Sequence, residues 1–133
     1  WAFEGFSDID CCLETDQLVL LIEGKRTEGL GPSTDWYPKR NQLVRNLEVA
    51  ESIASGREYA VMVLSEQDIG LLSEQILAES LPHFGPVDRD RLMCHYLGCI
   101  TWADVCKTTN IPFSGLPGET RIVAETLRDR SAT

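Results

Sequence analysis

Acidic side chains crowd one short stretch of the chain: Asp8, Asp10 and Glu14, then Glu23 with Lys25 two residues later. Residues 6–14 (FSDIDCCLE) and 18–26 (LVLLIEGKR) read as two strands around a short turn at 15–17. Alternate residues of a strand share a face, so Ile9, Cys11 and Leu13 form one apolar row and Leu18, Leu20 and Ile22 another. Both rows should pack on the same core, which restricts the register. A two-residue turn at Asp16–Gln17 then sets Asp10 opposite Glu23 and Asp8 opposite Lys25. On this reading Asp8, Asp10, Glu14, Glu23 and Lys25 all project from the face away from that core.

Directly opposed side chains have Cβ atoms about 5 Å apart. Two carboxylates at that separation repel unless one is protonated, a base sits between them, or a divalent cation bridges them. Hard cations such as magnesium take oxygen ligands and usually keep several waters. A lysine on the same face can hold an attacking water or neutralise charge on a phosphate. The alternative is an ordinary solvated polar face on an edge hairpin. Against it, the carboxylates are clustered, and the apolar run Leu18–Ile22 stops abruptly at Glu23.

The segment SDIDCCLETDQLVLLIEGK resembles the catalytic hairpin of the PD-(D/E)XK nuclease superfamily, the restriction-endonuclease-like fold. That pattern is an aspartate on one strand and Asp/Glu-x-Lys on the next, matched here by Asp10 and Glu23-Gly24-Lys25, with Asp8 as the alternative aspartate. The resemblance covers residues 6 to about 65. It implies a mixed sheet flanked by helices, with Asp10, Glu23 and the Gly24 carbonyl holding Mg2+ or Mn2+. It further implies Lys25 acting on the attacking water. The helix after the hairpin often lends this superfamily a glutamine, which implies Gln42 as a fourth catalytic residue. Nucleic acid, DNA ahead of RNA, is the implied partner.

The elements that would position these groups follow from periodicity. A helix should start near 35–38, with an Asp or Ser cap and Pro38 in its first turn, and run to Ser55 before Gly56. Its apolar stripe is Leu43, Leu47, Ala50 and Ala54. At about 100° per residue, Lys39, Gln42 and Asn46 form one strip along the border of that stripe. Arg40 and Arg45 lie elsewhere on the wheel, where they could meet phosphates. Trp36 and Tyr37 stand at the helix entrance, as a staple or as a base-stacking pair. Residues 59–65 (YAVMVLS) read as a central strand, and 68–81, 88–108 and 119–130 as helices.

At 133 residues the chain has the length of one domain, with a core over 6–65 and a helical C-terminal part over 68–130. It starts at Trp1, which reads as a fragment lacking the first elements of its α/β fold. The net charge of −9 disfavours a general nucleic-acid coat, yet Lys25–Arg45 carries five bases against two acids. No apolar run is long enough for a membrane span. The five cysteines (11, 12, 94, 99 and 106) form no C-x-x-C pair and read as reduced thiols of a cytoplasmic protein. Zinc at Cys94, His95, Cys99 and Cys106 is disfavoured, since 94 and 99 would fall about 140° apart on a helix. The expectation is a metal-dependent nuclease domain. Its alternative is a catalytically inactive module of the same fold that binds protein or nucleic acid.

Overall fold

The computed structural model describes residues 8–25, 37–66 and 72–112. The chain forms β1 (Cys11–Glu14), β2 (Leu18–Gly24), α1 (Gln42–Ala54), β3 (Glu58–Ser65), α2 (Glu74–Ser80), α3 (Pro86–Met93), β4 (Tyr96–Thr101) and α4 (Trp102–Thr109). The strands make one four-stranded mixed sheet in the order β1-β2-β3-β4. β1 and β2 are antiparallel, while β2, β3 and β4 run parallel to one another. This is an α/β fold.

The hairpin register is the expected one. Cys11 pairs with Ile22 and Glu14 with Val19. The Thr15 amide donates to the Leu18 carbonyl at 2.8 Å, closing the turn over Asp16–Gln17. Asp10 precedes β1, and its side chain meets the end of β2 at the Gly24 amide.

The covered face is the other one from that expected. α1 lies over Val19 and Leu21 of β2 and Val61 and Val63 of β3, all at most 1% exposed, so the odd positions of β2 form the core side. Leu18 and Leu13 are 37% and 54% exposed, and Cys11 is exposed as well. β2 is apolar at both parities, so its pattern does not distinguish its faces. The decision is made by α1, whose stripe of Leu43, Leu47, Ala50 and Ala54 is buried as expected. Glu23 shares the parity of Val19 and Leu21. It therefore lies under a helix and not on an open face.

α1 begins later than the expected 35–38, and its cap is Asn41. The Asn41 side chain accepts from the amides of Leu43 and Val44, and Pro38 lies in a turn before the helix. The helix ends where Ser55 and Gly56 both take positive φ, a left-handed exit that glycine adopts without steric cost.

The C-terminal part is not purely helical. The expected helix over 88–108 is three elements, α3, β4 and α4. α3 already ends at Met93, and within β4 Gly98 takes a φ of +92° where the β3–β4 pairing shifts register between Val61 and Val63. Thr101 then ends β4 and caps α4. The expected helix over 68–81 is the shorter α2, capped by Ser73; residues 67–71 lie outside the described residues. The expected helix over 119–130 lies outside them too.

Candidate functional site

Glu23 occupies the last rungs of β2, where a carboxylate would ordinarily reach water. Here it is 2% exposed. A buried charge is costly unless it is paired and hydrogen-bonded. Both of its oxygens are served. Oε1 receives the Lys25 ammonium at 2.8 Å and the Gln42 side-chain amide at 2.5 Å. Oε2 receives the Asn46 amide at 3.1 Å. Lys25 also donates to Gln42 Oε1 at 2.9 Å, so lysine, glutamate and glutamine close a ring. Only with Nε2 toward the carboxylate and Oε1 toward the ammonium are both glutamine contacts attractive.

Each residue is brought there by its element. Gln42 is the first helical residue of α1, and Asn46 follows one turn later on the same side. The amino end of α1 thus lies over Glu23, where the helix dipole favours a negative charge. α1 has no acidic residue in its own first turn; the carboxylate comes from the neighbouring strand. Lys25 is fixed by its backbone amide, which donates to Leu64 of β3 at 2.8 Å. The cluster sits at the carboxyl ends of the parallel strands, the customary place for a ligand crevice in an α/β sheet.

Asp10 joins the site by another route. Its Oδ2 accepts from the Gly24 backbone amide at 2.8 Å. A Cβ on residue 24 would stand 3.3 Å from that oxygen, so glycine permits the approach. Lys25 is drawn to Glu23 and a backbone amide to Asp10, so each of the two carboxylates has its own donor.

Three of the expected residues, Glu23, Lys25 and Gln42, therefore meet at the mouth of the hairpin, and Asp10 contacts the same strand end through the Gly24 amide. Gly24 shows its amide in use there. Other candidates are drawn away. Glu14 pairs with Arg57 at 2.7 Å at the opposite end of the strands. Lys39 leaves the expected strip to reach Glu79 at 3.7 Å. Arg40 is buried against Glu48 and Ser80, which removes it from phosphate binding. The Tyr37 hydroxyl donates to the Glu79 carbonyl, while Trp36 lies outside the described residues. Asn46 was legible only as a member of the border strip, and its contact with Glu23 makes it part of the cluster.

Among the described residues, no group of three or more His, Cys, Asp or Glu side chains is placed to hold a metal ion. Carboxylate oxygens are ligands of the kind that hard ions take, but both oxygens of Glu23 already have protein donors and Asp10 accepts from the Gly24 amide. No helix among the described residues is long and apolar enough to cross a membrane. Comparison with known proteins gives no match, whether to a family model, a curated protein or a solved structure.

Proposed function

We propose that the chain is a metal-dependent nuclease domain of the restriction-endonuclease-like kind, hydrolysing phosphodiester bonds of nucleic acid, with DNA ahead of RNA. The observation that carries this reading is Glu23: a nearly inaccessible carboxylate at the strand mouth, joined to Lys25 and Gln42, with Asp10 on the amide of the next residue, Gly24. Asp10, Glu23 and the Gly24 carbonyl would hold Mg2+ or Mn2+. When bound, such an ion supplies positive charge beside the scissile phosphate and makes a nearby water more acidic. Lys25 contributes its ammonium to the attacking water or to the charge that develops on the phosphate. Gln42, donating with one end and accepting with the other, orients the lysine against the carboxylate.

A second reading has its own support. Both oxygens of Glu23 are already satisfied by protein donors, and the chain carries a net charge of −9. A closed, self-neutralised network on an acidic domain suits a binding module that performs no chemistry.

The test uses the natural full-length protein with single- and double-stranded DNA and RNA. Mg2+ or Mn2+ should raise the melting temperature, since an ion that binds only the folded state stabilises it. Glu23→Gln should weaken that shift. Lys25→Ala, assayed below its own melting temperature, should keep the shift and lose cleavage. If the wild type shows neither a metal-dependent shift nor cleavage of any substrate, the binding module is the better reading.

A further inference from the structure

Asn46 is the member of the cluster whose presence packing does not explain. It lies inside α1 at 1% exposure, flanked along the helix by the fully buried Leu43 and Leu47. A leucine has the same branched outline and would leave no polar atom to satisfy. Instead the asparagine buries Oδ1 without a hydrogen-bond partner among the described residues, an unfavourable arrangement. What the residue supplies in return is Nδ2, which donates to Glu23 Oε2 at 3.1 Å.

That bond does something Lys25 and Gln42 do not. Both act on Oε1. A planar carboxylate held at one oxygen can still swing about it. A donor at Oε2, presented from a helix interior, removes that freedom. From this geometry we infer that Asn46 is a positioning residue, which locks the Glu23 carboxylate in a single orientation at the strand mouth. The locking does not depend on what Glu23 binds. Its consequence for a cation rests on the nuclease reading, and is a prealigned ligand that pays no ordering cost on binding.

The experiment follows the Glu23 side chain directly in the full-length protein. Three-bond couplings measured by NMR report whether its torsions hold one rotamer or average over several. The wild type should show one rotamer, and Asn46→Leu and Asn46→Ala should both show averaging. In the same variants Mn2+ affinity, measured by electron paramagnetic resonance of the free ion, should fall about 10- to 100-fold. Asn46→Leu should meanwhile keep its melting temperature, which separates positioning from simple structural support. Unchanged Glu23 couplings in both variants overturn the inference, whatever happens to Mn2+. Averaged couplings with no Mn2+ binding by the wild type uphold the locking and count against the nuclease reading instead. Should neither variant fold, the wild type still decides. Its Asn46 side-chain amide protons should exchange slowly, and Glu23→Gln should speed them; fast exchange in the wild type overturns the inference.

Discussion

The two ends of α1 each meet a charged side chain from a neighbouring segment, and they do so in different ways. At the amino end, Glu23 of β2 is sunk beneath the first turns, with Lys25, Gln42 and Asn46 around it. At the carboxyl end, Arg57 donates to the Ile53 and Ala54 carbonyls at 3.0 and 2.8 Å. It also reaches the Thr15 carbonyl at 3.0 Å and Glu14 at 2.7 Å, so one guanidinium ties the hairpin turn to the helix exit. Both arrangements complement the helix dipole. Arg57 spends its donors on backbone carbonyls near water, which explains it fully as a structural clip. Glu23 is a charge placed where stability alone would favour an apolar residue, so its explanation lies in what it can bind.

The difference has a measurable size. Lys25→Met leaves Glu23 buried beside two amides with no compensating cation. The side chain of Lys25 is only 12% exposed, so solvent does not replace it. Removing one partner of a buried pair costs about 3–5 kcal/mol, and chemical denaturation of the variant should show a loss of that order. A Glu23→Leu, Lys25→Met double substitution should recover most of it, because the uncompensated charge is gone. Failure of the double variant to recover would mean that the pair is held by more than electrostatic compensation.

At the other end the effects should be smaller. Arg57→Ala removes three backbone contacts and the clip across the turn, and should cost about 1–2 kcal/mol by denaturation. Glu14→Ala removes only an exposed partner, 60% exposed in its side chain, and should cost well under about 1 kcal/mol. A Glu14→Ala loss comparable to that of Arg57→Ala would show that the ion pair, and not the carbonyl contacts, carries the clip.

What was legible in the sequence follows the same physics. The hairpin register could be read because turn length and alternation agree. The covered face could not, because Leu18, Val19, Leu20, Leu21 and Ile22 are all apolar and either parity would satisfy a core. Gln42 and Asn46 lay on a border strip whose other member, Lys39, has a side chain long enough to leave for Glu79. Position on a helical wheel does not say which border residue turns inward. β4 was hidden for a different reason. Its residues 96–101 (YLGCIT) carry a central glycine and no clean alternation, and Gly98 spends its freedom on a positive φ that no hydrophobic pattern encodes. Residues 88–108 therefore looked like one helix, although the strand in their middle completes the sheet.

The smallest effect belongs to a third helix end, where a carboxylate meets a dipole in open water. Asp104, in the first turn of α4, accepts from the Thr101 amide at 2.9 Å and its hydroxyl at 2.7 Å, while Thr101 Oγ1 caps the Asp104 amide at 3.2 Å. These bonds, the backbone one foremost, hold the Asp104 carboxyl below its ordinary value of 3.8. A folded-state value below the unfolded one means that the capping box stabilises the fold fully above about pH 4. That contribution is lost as pH falls through the folded value. Asp104→Ala should therefore melt slightly below the wild type at neutral pH, and the gap should narrow on acidification below pH 3.8 to what a neutral acceptor retains. Asp104→Asn, which keeps an acceptor without the charge, should fall between the two at neutral pH. Its own difference from Asp104→Ala should not depend on pH across that range. A wild-type gap that persists unchanged into strong acid would show that the Asp104 carboxylate contributes nothing through its charge.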